Sequence, residues 1–159
     1  MAFDQSIIDK YEAGGEQLAL AIRGLTREDL LAVPIPGKWS TQQVVIHLMD
    51  SDLIATDRMK RTIAEDKPTL IGYDESKFVA NLAYDQQSAE DAVTIFDLNR
   101  KQFAKVLRTI PPAAWERVGM HNERGPTTLA KQLEYYTKHL DHHLHFIHEK
   151  RAKMGKEMW

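Results

Sequence analysis

Cysteine is absent from this chain. That excludes a disulfide framework, a cysteine nucleophile and a thiolate metal ligand. Any bound metal must therefore rest on histidine, aspartate or glutamate. An excess of either charge is also lacking. Lys and Arg number 21 against 23 Asp and Glu, for a formal net charge of −2 and a pI of about 6.4. No basic surface points to nucleic acid or to an anionic membrane. No stretch approaches the ~18 consecutive apolar residues of a membrane span. The opening MAFDQSIIDKYEAGGEQL is charged within its first ten residues and has no apolar core of signal-peptide length. The expectation is a cytoplasmic protein with neither nucleic acid nor membrane as partner.

What is present is an ordinary globular balance. Hydrophobic residues make up 43% and charged residues 28%, enough apolar content for one core without staples. The 159 residues fit one domain, 1–159. There is no internal repeat, low-complexity run or interdomain linker. The apolar periodicity is helical nearly everywhere. Helix 1 is expected over 4–24, with Ile7, Ile8, Tyr11, Leu18, Ala19, Ile22 and Leu25 inward. Its Gly14 and Gly15 either weaken the helix, by about 1 kcal/mol each relative to Ala, or mark a close helix contact. A short helix over 25–31 has Thr26 as N-cap and Asp29 at N3. PIPGKW (34–39) breaks the chain.

Ser40 and Gln43 form a capping box for helix 2, which runs to about 65. Residues 66–87 are mixed and long for a tight turn, with room for helical turns of their own. SAED (88–91) caps helix 3, which runs to about 109 with Ala92, Ile95, Phe96, Phe103, Val106 and Leu107 inward. A further short helix is expected over 110–118, then a loop over 119–127. Thr127 caps helix 4, from about 128 past 150. Lys150, Arg151, Lys153 and Lys156 crowd its end, where cations favour the helix dipole. No strand is expected. The fold class is all-α, an antiparallel four-helix bundle with short extra helices in the connections.

Five of the seven histidines fall in YYTKHLDHHLHFIH (135–148). Residues four apart on a helix differ by about 40° around its axis, so His139 and His143 project side by side. Two imidazoles so placed can share one metal ion. Tyr136, Leu140 and Ile147 lie on the same side, so the pair borders the buried stripe. His142, His145 and His148 rotate away and read as solvated. A catalytic zinc usually takes three protein ligands. His47, in line with Val44, Ser51, Ile54 and Ala55 on the inward face of helix 2, is the candidate third. On the residues alone, a three-histidine metal site and three separately satisfied histidines stand as alternatives. His121, in the loop before helix 4, is expected to face water.

Two segments resemble the DinB-like family. In PGKWSTQQVVIHLMDSD (36–52), a tryptophan and a helix cap precede an inward histidine followed by Leu-x-Asp. In HNERGPTTLAKQLEYYTKHLDHHLHFI (121–147), a His-x-Glu-x-Gly-x-x-Thr-Leu loop leads into a last helix bearing His-x-x-His-His. Within the family, HLDHHLHFI after GPTTL is similar to the bacillithiol-transferase-like branch, many of whose members are named metal-dependent hydrolases. The resemblance implies a four-helix bundle and a metal held by His47, His139 and His143. It also implies pairing into a homodimer. The cofactor expected is a divalent ion, zinc or nickel first, with iron or copper as further options.

Such an ion lowers the pKa of bound water and so supports hydrolysis. It also binds a small thiol as thiolate, which supports thiol S-transfer. The expectation is a metal-dependent enzyme acting on a small molecule, a hydrolase or a transferase using a low-molecular-weight thiol. The alternative is a metal-binding bundle without catalysis, a stress-related binding or interaction protein. Asp50, Arg58, Tyr73 and Tyr136 are candidates for contacts with substrate. Each is better explained as a surface charge or a packed aromatic, and no residue is assigned as general base.

Overall fold

The computed structural model describes residues 3–158. The ends of the expected 1–159 span, Met1, Ala2 and Trp159, lie outside the described residues. Four long helices carry the core: α1 (Ser6–Ile22), α3 (Thr41–Ala64), α5 (Ala89–Leu107) and α6 (Leu129–Lys153). Two short helices, α2 (Arg27–Leu31) and α4 (Glu75–Asn81), lie in the connections, with single 3-10 turns at Tyr84–Gln86 and Pro112–Glu116.

The helix starts follow local chemistry. Thr26 with Asp29, and Ser40 with Gln43, form reciprocal capping boxes that satisfy otherwise orphaned backbone N–H groups. The Ser88 hydroxyl accepts from the Asp91 backbone N–H and starts α5. At α6 the cap is Thr128, which accepts from the Lys131 N–H at 3.2 Å. Thr127, the expected cap, instead belongs to a strand.

Two apolar clusters stack along the bundle. One holds Leu18 and Ala21 of α1, Val44, Val45, Ile46, Leu48 and Met49 of α3, Ala92, Val93 and Phe96 of α5, and Leu140 and Ile147 of α6. The other holds Ile8 and Tyr11 of α1, Ala55 and Met59 of α3, Phe103, Ala104 and Leu107 of α5, and Leu129, Leu133 and Tyr136 of α6. Chain directions follow from this sorting. The antiparallel pairs are α1 with α5 and α3 with α6. Between the pairs, α1 lies parallel to α6 (Lys10 to Asp141, 2.6 Å; Arg151 to the Ala21 carbonyl, 3.1 Å) and α3 parallel to α5. Parallel neighbours require long crossovers. The α3–α5 connection supplies one, spanning the bundle with α4 and the 3-10 turn. It is tied down by Gln42, whose amide donates to the Tyr84 and Gln87 carbonyls.

Several expectations change. A three-stranded sheet exists where no strand was expected: β1 (Thr69–Leu70), β2 (Val118–His121) and β3 (Gly125–Thr128), in the order β1-β2-β3. β1 pairs parallel with β2, and β2 antiparallel with β3, with His121 opposite Gly125. The expected loop 119–127 is therefore largely a hairpin. Its strands are too short and too rich in Gly and Pro for alternation to show. Pro126 sits on the edge strand, which tolerates a missing N–H. Ala19, Ile95 and Val106 face outward rather than inward, since these helices bury a narrower stripe than their apolar content suggests. Lys150 and Arg151 are buried, beyond what a dipole interaction would require. Arg151 donates to the carbonyls of Ala21 and Arg23 and so ties the ends of α1 and α6 together.

Gly14 and Gly15 mark a close helix contact. A Cβ on Gly14 would stand 2.6 Å from an Arg100 guanidinium nitrogen, and one on Gly15 would stand 2.6 Å from the Asp97 Cα. The second obstacle is backbone, so α1 and α5 would have to separate. Helix propensity alone favours Gly15→Ala by about 1 kcal/mol. The packing conflict should reverse that sign, with a net loss of roughly 1–3 kcal/mol in urea unfolding. Equal or increased stability would show that the two helices are not in this contact.

Candidate metal centre

The histidine cluster is assembled by two helices. The break at PIPGKW delivers Trp39 just ahead of the Ser40 cap, and α3 then places His47 inward, 1% exposed. Trp39 packs edge-on against the His47 ring, with centroids 5.2 Å apart. From α6, His139 and His143 reach the same point. Nε2 of His139 lies 3.3 Å from Nε2 of His47 and 3.0 Å from Nε2 of His143. Among the described residues, this trio is the one group of three metal-ligating side chains whose ligand atoms all lie within 4.8 Å of one another.

Protein groups alone do not satisfy this arrangement. Nδ1 of His47 and Nδ1 of His143 are buried with no hydrogen-bond partner. A neutral imidazole carries one proton. Protons on the Nε2 atoms of His47 and His143 leave two bare acceptors buried. Protons on Nδ1 leave two buried donors unmatched and crowd two Nε2 lone pairs against one His139 nitrogen that carries at most one proton. A cation among the Nε2 atoms resolves that crowding. Ligand nitrogens about 2.0–2.1 Å from zinc in a tetrahedron stand about 3.3 Å from each other, close to the separations seen. The residues fit a divalent ion. The orientation of His47 and His143 then comes from ring packing, since neither Nδ1 has the protein acceptor that usually fixes a ligating imidazole.

Electrostatics agree with ligation. Burial pushes the His47 pKa down to about 4. Burial, followed by the neighbouring imidazoles and more distant cations, pushes His139 and His143 down to about 3. All three rings are neutral at pH 7, the state in which imidazole binds a metal.

The trio lines a cavity of about 660 Å³ between α3, α6, the start of α4 and the hairpin. His142, His145 and His148 are exposed, as the helical wheel indicates, with His142 at the cavity's edge. His121 does not face water. It is 7% exposed and lines the cavity, because the β2 strand turns it under the hairpin. Arg58, Tyr73 and Tyr136 also line it, whereas Asp50 accepts a hydrogen bond from the Tyr84 hydroxyl at 2.6 Å and does not.

Glu75 was not singled out by the sequence. Its carboxylate lies 3.7 Å from His47 Nε2 and is 57% exposed. The only local signal was the helix start after Asp74, which says nothing of an approach to His47.

Comparison with known proteins agrees with this geometry. The profile described as the DinB superfamily matches residues 10–147. A Bacillus mycoides (strain KBAB4) protein, provisionally named a metal-dependent hydrolase, is 30% identical, covering 95% of this chain and 89% of its own. An Oceanobacillus iheyensis protein with the same kind of name is 32% identical, over 70% of this chain and 64% of its own. The structure of YfiT from Bacillus subtilis, described as "a probable metal-dependent hydrolase with an unusual four-helix bundle topology", superposes with a TM-score of 0.89. It is 25% identical and covers 94% of this chain and 86% of that one. A mycothiol-dependent maleylpyruvate isomerase shares the fold at a TM-score of 0.68 and 9% identity, over 87% of this chain and 58% of that one. With its helical bundle and histidine cluster in place, this chain belongs to the DinB superfamily.

Proposed function

We propose that His47, His139 and His143 hold one divalent ion, zinc or nickel, and that the protein is a metal-dependent hydrolase of a small molecule. The observation that carries the reading is the convergence of three neutral imidazole nitrogens, 3.0–3.3 Å apart along two edges, on the wall of a roomy cavity. Three ligands leave a position open for chemistry. The ion supplies Lewis acidity when bound, polarising a carbonyl or phosphoryl oxygen and acidifying water.

The chain's own groups do the rest. Glu75, the carboxylate beside the trio, is placed to take the proton from the attacking water. A positioned general base of this kind contributes about 10²–10⁴-fold in rate. Trp39 and Phe146 give the cavity apolar surface near the trio, which strengthens electrostatic contacts there. The names of the relatives support hydrolysis.

Turnover of ester, amide and phosphoester panels by metal-loaded protein, with and without low-molecular-weight thiols, tests the reaction. The expected result is hydrolysis that needs metal and is indifferent to thiol. Activity that appears only with a thiol would replace hydrolysis by thiol transfer. Glu75→Gln should lower kcat about 10²-fold or more while leaving metal content unchanged. Undiminished kcat would remove Glu75 from the mechanism.

The lowered histidine pKa values set a second expectation. Protons compete with metal only where the free rings titrate. With folded values of about 4 and 3, metal affinity should stay level from pH 8 to about 5 and fall below that. Affinity that already declines steeply from about pH 6.5, the ordinary histidine value, would mean the rings are solvated.

A further inference from the structure

Of three buried arginines, Arg151 spends its donors on the carbonyls of Ala21, Arg23 and Lys156, while Arg100 and Arg58 are treated in opposite ways. Arg100, 1% exposed, is fully compensated. It donates to Asp52 at 2.9 and 3.0 Å and to the Tyr11 and Tyr136 carbonyls. Arg58, 7% exposed, has no carboxylate oxygen within 4.0 Å among the described residues. Its partners are neutral: the Tyr136 hydroxyl at 2.8 Å and the Ile71 carbonyl. Its Nε is buried and bonded to nothing. A guanidinium has five N–H donors, so three remain uncommitted. A buried cation without a counter-charge is costly, and this one lines the cavity beside the histidines.

Its surroundings are rich in donors. The His121 Nδ1 accepts from the backbone N–H groups of Glu123 and Arg124 at 3.2 and 3.3 Å. The ring proton is therefore on Nε2, which has no acceptor among the described residues. The Arg124 guanidinium lies 5.0 Å from the Tyr135 ring centroid and likewise has no carboxylate within 4.0 Å. Arg58, His121 and Arg124 stand where the large cavity meets a second one of about 270 Å³, so space is available between them.

Among the described residues, no acidic group on the cavity wall comes within 4.0 Å of the Arg58 or Arg124 side-chain nitrogens, and Glu123 is the one whose charge reaches both His121 and Arg124. Asp74 caps α4, Glu75 approaches His47, Glu123 packs on Gly72, and Glu149 adjoins Lys150 at the far end of α6.

We propose that Arg58, Arg124 and His121 form a subsite for an oxyanion, a carboxylate or phosphate group carried by the substrate. This rests on the reading of the histidine trio as the reactive centre and narrows its substrate class to anionic small molecules. His47, Ser51 and Arg58 line the cavity from one side of α3. The oxyanion is thus held to one side of the trio, leaving the trio free for the reacting group. Arginine suits this task because its planar fork matches both carboxylate and phosphate.

Calorimetry on the metal-loaded protein tests the subsite with inorganic phosphate, succinate and neutral succinamide. Saturable binding of phosphate or succinate, and none of succinamide, is expected; the tighter anion identifies the group. Folded Arg58→Gln should weaken it by at least about tenfold, the scale of one charge-assisted contact. Arg124→Gln, on the exposed hairpin, should weaken it several-fold with an unchanged Tm. His47→Ala should lose metal yet still bind the anion.

Three results would overturn the proposal: no saturable anion binding, affinity unmoved by Arg58→Gln, or anion binding lost together with metal in His47→Ala. If Arg58→Gln does not fold, unchanged affinity in Arg124→Gln overturns it instead. Metal content of the wild-type protein is read separately, so failure of the subsite leaves the metal reading standing, and the reverse.

Discussion

The buried Arg100–Asp52 pair sets the geometry on which the rest depends. Arg100 extends from α5 into the layer between the two apolar clusters. Its guanidinium reaches α3 through Asp52, α1 through the Tyr11 carbonyl and α6 through the Tyr136 carbonyl. It is also stacked between the Tyr11 and Phe96 rings, 4.4 and 4.3 Å from their centroids. One side chain thus touches all four long helices. Breaking one partner of such a pair leaves an uncompensated charge and is strongly destabilising, whereas replacing the whole pair by apolar groups can be neutral. What the pair contributes here is register. Asp52 lies five residues after His47, and Tyr136 three before His139, so fixing 52 against 136 brings the histidines face to face.

That register also shapes the cavity. α3 and α6 run antiparallel through the site, with Thr62 and Gln132 joined at one end (2.9 Å) and His47 and His143 near the other. The connections close the remaining sides. The α3–α5 crossover brings Glu75 to His47, and the small sheet turns His121 inward. Gly119 permits that sheet to dock, since a Cβ there would fall 2.5 Å from Leu70 and 2.8 Å from the Thr62 hydroxyl. The framework therefore supplies neutral nitrogens at one place and unpaired cations at another, both on the wall of the same space.

Much of this was legible in the residues, and the parts that were not share a cause. The capping boxes at Thr26 and Ser40 are local hydrogen-bond patterns, and local patterns are what a sequence displays. The same holds for the α6 wheel, which separates His139 and His143 from His142, His145 and His148 by angle alone. His47 required a partner on another helix. Its inward azimuth was visible, and the family resemblance joined it to the α6 pair. The hairpin escaped because four-residue strands such as VGMH and GPTT carry too little alternation. The burial of His121 escaped with it. Glu75 near His47 and the missing counter-ion of Arg58 are facts about distant segments, for which spacing along one element carries no information.

The central claim is that three histidines from two helices hold one divalent ion. A crystal structure with anomalous diffraction measured across the absorption edges of zinc and nickel tests it most directly. One strong peak is expected, bonded to Nε2 of His47, His139 and His143 at about 2.0–2.1 Å, with an open position toward the cavity. A metal-replete crystal with no peak between these rings, or with the ion on other side chains, would contradict it.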